Sequence, residues 1–307
     1  MKKTPAHRTR DSGVHLDAVT RPGRTVMNLN RRAFLRKTAF AGGAVLCASY
    51  PFFIERYIIQ VNRYRISVPR LPSAFEGFTM VHLTDLHYGP LVPFGLLKKV
   101  VERANSIPCD MIVCTGDYIH ERNSKKHIDS IWPLISMLEA PSGVLSVLGN
   151  HDHWGDTERS AYWLDKTGQN MRHAIRKIER NGESLWFVGA GDLWEDHVDI
   201  DYLMKPVPKD DCRIVLAHNP DSADTMVKSK PDLVVSGHTH GGQVNIPFIG
   251  TPILPVKNKN YSFGLKRSIH DVPVFISRGI GWAIYPVRFN CFPEIAVLTL
   301  NKTRKEG

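Results

Sequence analysis

The chain has 307 residues, 42% of them apolar and 23% charged, which is the composition of an ordinary globular protein of one or two domains. This composition excludes a disordered chain, collagen and a multi-span membrane protein. The formal charge is +10, but residues 1–37 hold ten Lys or Arg and two Asp, so the other 270 residues carry only +2. The body of the protein is nearly neutral, and we expect no nucleic-acid binding.

The basic segment ends in a pattern typical of an export signal. Arg31-Arg32 precedes Phe34-Leu35, and an uncharged stretch of 17 residues follows from Thr38 to Ile54. This stretch is shorter than the roughly 20 residues that span a bilayer, and a basic region before a short apolar one resembles a twin-arginine signal. We therefore expect a leader over residues 1–56 and one domain over residues 57–307.

The leader leaves two further points open. No clean small-x-small cleavage site follows the apolar stretch, so an uncleaved signal would anchor the protein to the membrane. Because the basic region before the arginine pair exceeds 30 residues, we predict that Met27 is the true start. The alternative interpretation is a buried N-terminal helix behind a disordered tail, although Gly42-Gly43 disfavours a strong helix there.

From Phe78 onward, short β-rich runs alternate with helix-like segments, and each β run ends at a polar or glycine-containing cluster. We predict strands at Phe78–Leu83, Met111–Cys114, Gly143–Leu148, Ser184–Val188, Arg213–Ala217, Leu233–Val235, Val274–Ser277 and Glu294–Leu300. We predict helices at Phe94–Ala104, Ile128–Glu139 and about Thr157–Arg180. Strands separated by helices indicate βαβ units, so we expect a single α/β domain.

Five of these strands end in metal-ligand residue types. In chain order the clusters are Thr84-Asp85-Leu86-His87, Gly116-Asp117, Gly149-Asn150-His151-Asp152, His218 and Gly237-His238-Thr239-His240. In an open α/β sheet, ligands bind beyond the carboxyl ends of the strands. We therefore expect all five clusters to converge on one edge of the sheet.

The number of candidate ligands exceeds what one metal ion uses. Three Asp, five His and one Asn stand in the clusters, whereas a catalytic zinc takes about three protein ligands. Two ions are implied. Asp85 and His87 lie two residues apart, so in an extended chain their side chains leave on the same side and can bind one ion together. His238 and His240 have the same spacing.

The charges of the candidate ligands favour an anionic substrate. Asp117 stands alone on its loop and can bridge two ions, while Asn150 supplies an oxygen without charge. If only Asp85 and Asp117 contribute negative charge, two divalent ions retain a net charge of about +2, which suits a phosphate group and a hydroxide. The sequence therefore indicates phosphoryl chemistry.

The order DxH, GD, GNHD, H, GHTH resembles the calcineurin-like metallophosphoesterases, from about Phe78 to the C-terminus. The resemblance implies a four-layer α/β/β/α sandwich and two divalent ions, with Mn, Fe and Zn all compatible with these ligands. One ion would be held by Asp85, His87, Asp117 and His240, and the other by Asp117, Asn150, His218 and His238. His151 would meet the phosphoryl or leaving-group oxygen as an acid or hydrogen-bond donor, with Asp152 orienting it.

Further segments look like the bacterial subgroup of exported YkuE-type and YaeI-type phosphodiesterases, namely GHTHGGQ, Gly191-Asp192-Leu193-Trp194, Ser277-Arg278-Gly279-Ile280-Gly281 and Pro293-Glu294-Ile295. This resemblance implies that a metal-bridging hydroxide attacks a phosphodiester of a phospholipid or cell-envelope molecule. It also implies export by the twin-arginine machinery to the periplasm or the outer face of the cytoplasmic membrane. The alternatives are a UDP-2,3-diacylglucosamine-type pyrophosphatase and, outside enzymes, a metal-stabilised binding module without turnover, which the His151-Asp152 pair disfavours.

Other conspicuous residues have simpler interpretations. We expect the histidines outside the clusters to be core or surface residues, with His120 and His153 the first exceptions because they adjoin the motif loops. The apolar run Ile246–Val256 is expected to be buried under the last strands; the alternative is that it lines the mouth of the site and meets a lipid surface. Arg278 and Arg288 are candidates for either a phosphate contact or a structural ion pair.

Overall fold

The computed structural model describes residues 1, 30–196, 199–226 and 228–303. The predicted start at Met27 and the histidine at position 197 lie outside the described residues. The chain divides into two compact units, Met1–Cys47 and Ala48–Gly307. The leader boundary expected after residue 56 stays a prediction.

The first helix, α1 (Arg31–Phe53), contains the apolar stretch of the leader, and none of its residues is buried. The alternative of a buried N-terminal helix is therefore wrong. The helix continues through Gly42-Gly43, because a glycine costs only about 1 kcal/mol relative to alanine and the neighbouring alanines and leucine favour helix. Among the described residues, the segment Arg31–Tyr57 is long and apolar enough to cross a membrane, a property that signal sequences share.

Eleven strands of the described residues form two sheets. The first sheet has the order β1-β11-β2-β3-β4, and only the β11–β2 pair is antiparallel. Its strands are β1 (Gln60–Val68), β2 (Thr79–Leu83), β3 (Met111–Thr115), β4 (Val144–Val147) and β11 (Glu294–Lys302). The carboxyl ends of β2, β3 and β4 therefore lie at the same edge.

The second sheet has the order β5-β6-β7-β8-β10-β9 and is antiparallel only in its two outermost pairs. Its strands are β5 (Ala174–Arg180), β6 (Glu183–Gly189), β7 (Cys212–Leu216), β8 (Leu233–Ser236), β9 (Gly264–Arg267) and β10 (Pro273–Ile276). The ends of β7, β8 and β10 form a second row of loops.

The two sheets pack face to face, and helices cover the outer face of the first. Met80 and Val113 of one sheet join Phe187 and Ile214 of the other in the central core. The outer face of the first sheet packs against α2 (Phe94–Asn105), α3 (Lys125–Ile135) and α4 (Asn150–Lys166). On the second sheet the fourth layer is thin, because it consists of α5 (Ile200–Leu203), the 3-10 turn Pro220–Asp224 and loops. The predicted α/β/β/α sandwich is confirmed.

One predicted element is wrong in part. The helix expected over 157–180 ends at Lys166, and β5 follows from Ala174. Gly168 adopts a φ of +69°, which ends the helix. β5 lies at the edge of its sheet and four of its seven residues are Arg, Lys or Glu, so its composition differs little from that of a charged helix.

Candidate metal centre

Six of the seven predicted ligands form two clusters at the loops that follow β2, β3, β7 and β8, and the seventh, Asn150, begins helix α4 after β4. Each of them is buried, with at most 5% of its surface exposed. Three groups of ligand atoms each lie within 4.8 Å of one another: Asp85, His87 and His240 form the first group, Asp117, His218 and His238 form the second, and His87, His120 and His151 form the third. The convergence predicted from the strand ends is therefore found among the described residues.

In the first group, His87 Nε2 lies 2.9 Å from His240 Nε2, and Asp85 Oδ1 lies 3.3 Å from His240 Nε2. In the second, His218 Nε2 lies 3.1 Å from His238 Nδ1. Asp117 Oδ2 belongs to both neighbourhoods, because it lies 3.2 Å from His218 Nε2 and 3.4 Å from His87 Nε2. One carboxylate oxygen thus stands between two clusters of imidazoles.

The buried polar atoms of this site fit divalent cations. Asn150 Oδ1 is buried and has no hydrogen-bond partner among the described residues. Burial lowers the pKa of His87 and His240 well below the usual range, so both rings are neutral, the form that binds metals. Imidazole, carboxylate and amide ligands suit Mn, Fe and Zn alike. The chemistry of the donor set therefore matches the predicted cofactor.

Asp117 and His218 form the strongest charge coupling in the site. Although burial opposes ionisation, His218 holds the pKa of the Asp117 carboxyl well below its usual range. Burial likewise disfavours the charged imidazole, but Asp117 raises the pKa of His218 to about 10. His218 Nδ1 donates to the carbonyl of Thr115 at 2.7 Å, which leaves Nε2 as the ring nitrogen directed at Asp117. A cation bound there would replace the shared proton.

The backbone of the ligands is unusual. Asp85, His87, Asp117, His238 and His240 all have φ between 49° and 68°, a region that residues with side chains rarely adopt. The expectation that Asp85 and His87 project from an extended strand is therefore wrong, because each lies in a left-handed turn. Backbone strain of this kind clusters at functional sites.

Three glycines make room for the ligand carboxylates. A Cβ added to Gly149 would lie 2.8 Å from His218 Cε1 and closer still to Asp117 Oδ1. A Cβ on Gly279 would lie 2.7 Å from Asp85 Cβ, and one on Gly237 would overlap the Asp85 carboxylate. Since real Cβ contacts this short are not seen, the site requires glycine at these positions.

The hydrogen bonds of His151 and Asp152 differ from the predicted pairing. Asp152 accepts backbone N–H bonds from Asp117, Tyr118 and Gly149 at 2.8 to 2.9 Å, so its carboxylate fixes the loops of the site. Burial, followed by the charge of Asp117, raises the pKa of Asp152 to about 7, whereas the three donors favour the ionised form. His151 is oriented by the carbonyl of His120, which lies 2.7 Å from its Nδ1.

Three residues outside the predicted ligand set also shape the site. Glu294 is buried and accepts the backbone N–H of Arg278 at 2.8 Å, which holds the turn containing Gly279. Arg288 is buried and donates to carbonyls including those of Gly281 and Cys291, so its role here is structural. His120 stacks on His151, with ring centroids 5.2 Å apart. In the sequence, only the position of His120 close to the Gly116-Asp117 motif indicated a role at the site.

Comparison with known proteins agrees with this geometry. Residues 78–242 match the family described as calcineurin-like phosphoesterase. The chain is 31% identical over 283 residues to "Uncharacterized metallophosphoesterase YkuE" of Bacillus subtilis (strain 168), covering 90% of this chain and 99% of that protein. It is 30% identical over 283 residues to "Phosphodiesterase YaeI" of Escherichia coli (strain K12), covering 89% and 99%.

A more distant relative is "UDP-2,3-diacylglucosamine pyrophosphatase LpxG" of Chlamydia muridarum (strain MoPn / Nigg). It is 22% identical over 315 residues, covering 85% of this chain and 95% of that protein. The family match, the two relatives near 30% identity and the His and Asp clusters agree with one another. The chain belongs to the calcineurin-like phosphoesterase family and is a metal-dependent phosphoric ester hydrolase.

Proposed function

We propose that the chain is a dinuclear phosphodiesterase. The observation that carries this proposal is the position of Asp117 Oδ2, 3.4 Å from His87 Nε2 and 3.2 Å from His218 Nε2, which belong to separate ligand groups. A carboxylate so placed can bridge two divalent ions. A pair of divalent ions held by these residues would lower the pKa of water to near neutrality and would polarise the oxygens of a phosphoryl group.

The protein's own groups position and protonate the substrate. The Nδ1 of His151 is engaged by the His120 carbonyl, so Nε2 is the ring nitrogen available to a phosphoryl or leaving-group oxygen. His151 is the second residue of α4, which begins at Asn150, and its backbone N–H donates to Asp117 Oδ1 at 2.9 Å, which fixes His151 beside the carboxylate that would bridge the ions. Asp152 acts through the loop backbone that it holds. We assign His151 as the proton donor and Asp152 as a positioning residue.

Preference for a phosphodiester is supported by similarity to YaeI, which is named a phosphodiesterase. A second candidate is cleavage of the pyrophosphate bond of a nucleotide-linked lipid, supported by similarity to a relative named UDP-2,3-diacylglucosamine pyrophosphatase. A phospholipid or another lipid-linked phosphoester is the substrate class common to both candidates.

The test uses four purified full-length proteins: the parent, Asp117→Asn, His151→Ala and the exposed control Asp271→Asn. Loss of the bridging charge should lower bis-p-nitrophenyl phosphate hydrolysis in Mn²⁺ by more than about 100-fold, beyond the 10- to 100-fold typical of residues that only support ligands. His151→Ala should lose about 100-fold or more at unchanged metal content, as expected for a general acid. Asp271→Asn should match the parent.

Elemental analysis measures bound metal in the same samples. Two ions in the parent and fewer in Asp117→Asn are expected, and equal metal content in both would contradict the bridging role. A parent that cleaves UDP-2,3-diacylglucosamine but no phosphodiester would select the second candidate. A parent inactive with Mn²⁺, Fe²⁺ and Zn²⁺ on both substrates would overturn the proposal.

We also propose that the protein is exported by a twin-arginine route and stays attached to the outer face of the cytoplasmic membrane. The support is that Arg31 and Arg32 open a helix that is long and apolar enough to cross a bilayer. Export in the folded state would allow metals to be inserted before transport.

A further inference from the structure

Two loops beside the metal centre expose large apolar side chains. Phe248 is fully exposed, and Ile249, Ile253, Ile284 and Tyr285 keep between 68% and 76% of their surface in contact with solvent. We name residues 246–253 and 283–286 the apolar rim. The expectation that the run Ile246–Val256 is buried is therefore wrong for Phe248, Ile249 and Ile253, whereas Val256 is buried. Contiguous exposed apolar surface on a soluble domain marks an interaction site.

The backbone conformation of the apolar rim keeps these side chains exposed to solvent. Phe248 has φ 68° and Ile284 has φ 60°, values that bulky and β-branched residues rarely adopt. The turn that carries Phe248 is closed by two backbone hydrogen bonds between Ile246 and Gly250, at 2.8 and 2.9 Å. A strained, ordered turn that presents a phenyl ring to water indicates a functional constraint.

The rim is attached to a ligand loop of the metal centre. Gln243 follows the sequence His240-Gly241-Gly242, and its side chain accepts from the backbone N–H of Ala283 at 2.6 Å and donates to the Ala283 carbonyl at 3.1 Å. A Cβ on Gly242 would overlap Thr251, so the other loop packs against the same segment. Whatever binds the rim therefore lies close to the metal site.

The end of the apolar helix α1 meets the rim within the second compact unit. The carbonyl of Pro51 accepts the backbone N–H of Arg288 at 3.1 Å, just beyond the second rim loop. The buried carboxylate of Glu55 accepts the N–H of Cys291 at 2.7 Å. Phe52 and Phe53, at the helix end, are also exposed. The last turn of a candidate membrane span is thus hydrogen-bonded to the chain two residues beyond the second rim loop.

We propose that the apolar rim docks onto a lipid bilayer, with Phe248 and Ile284 inserted at the boundary of headgroups and acyl chains. Only Ile54 separates Phe53 from the buried Glu55, so a membrane that holds the helix lies within a few residues' reach of the rim. Residues 244–256 and 279–287 contain no charged side chain, as insertion at the interface requires. This docking is independent of the proposed reaction.

The test introduces an added tryptophan into the full-length protein reconstituted in nanodiscs of phosphatidylethanolamine and phosphatidylglycerol. Phe248→Trp and Ile284→Trp probe the two loops. Met137→Trp is the matched control, because Met137 is 55% exposed and follows α3 at the opposite end of the first sheet. The signal of the six native tryptophans is subtracted by measuring the parent in parallel.

We expect blue-shifted emission from the tryptophan added at positions 248 and 284, and its loss when the lipids carry bromine on the acyl chains. Met137→Trp should show neither effect. Thermal unfolding of each variant in the same nanodiscs verifies the fold, and the two rim probes substitute for each other if one is unstable. If bromolipid quenched the rim tryptophans no more than the tryptophan of Met137→Trp, the proposal would be overturned. We expect that result if another protein, and not the bilayer, covers this surface.

Discussion

Replacing Gly149 by alanine perturbs the site with a single methyl group. Gly149 has φ −109°, which any residue adopts, so the substitution adds no backbone strain. The new Cβ would lie 2.8 Å from both the Asp117 backbone nitrogen and His218 Cε1. Ordinary contact begins at 3.4 Å, so His218 and the Asp117 loop have to move by about 0.6 Å. Metal–ligand distances tolerate only about 0.2 Å.

The displacement affects the second ligand group and the shared carboxylate. We expect hydrolysis of bis-p-nitrophenyl phosphate to fall by about 100-fold, the effect of misplacing reacting groups by an ångström. Crowding should lower the free energy of unfolding by about 1–3 kcal/mol. The metal content should fall from two ions towards one, because the three atoms nearest the new methyl group belong to Asp117 and His218 and not to the first ligand group.

The assay measures hydrolysis, metal content by elemental analysis, and urea unfolding with the metal removed by chelation. Gly95→Ala is the control, because no atom lies within 4 Å of its Cβ position in helix α2. That variant should be stabilised by about 0.5–1 kcal/mol without loss of activity. If Gly149→Ala retained the activity and metal content of the parent, the packing of Gly149 against the ligands would not matter for the site.

Two further predictions concern stability and export. Burial lowers the pKa of His82 to about 3, against 6.5 in the unfolded chain. Below pH 6.5 the unfolded state therefore gains a proton that the folded state does not. Part of the free energy of unfolding present at neutral pH is lost as the pH falls. Between about pH 7 and about pH 5 the parent should therefore lose about 2 kcal/mol more than His82→Gln in urea unfolding; equal losses would contradict this assignment. Replacing Arg31 and Arg32 by lysine should abolish twin-arginine export. The variant should then stay inside spheroplasts, where added protease does not cleave it. If the protease cleaved the variant as it cleaves the parent, the proposed route would be refuted.

The local sequence was sufficient to identify the chemistry of the site. Strand cores are runs of apolar residues, and five of the predicted strands end in a short polar or glycine-containing cluster whose residue types are metal ligands. Because the carboxyl ends of parallel strands share one edge, the convergence of Asp85 and Asp117 followed from their order along the chain, whereas His218 follows β7 of the second sheet and is brought there by the packing of the two sheets. Edge strand β5 was missed because its charged residues face solvent and carry no strand-specific pattern.

The sequence by itself determined which residue types end which strands, and therefore the family and the candidate ligands. Only the tertiary structure decided which atoms meet: the Asp85 carboxylate accepts the His238 backbone N–H at 3.0 Å across 153 residues, and Asp152 binds three backbone N–H groups rather than the His151 ring. The exposure of Phe248 was decided in the same way. Hydrogen-bond partners and burial depend on residues distant along the chain, and no local pattern records which of them a fold brings into contact.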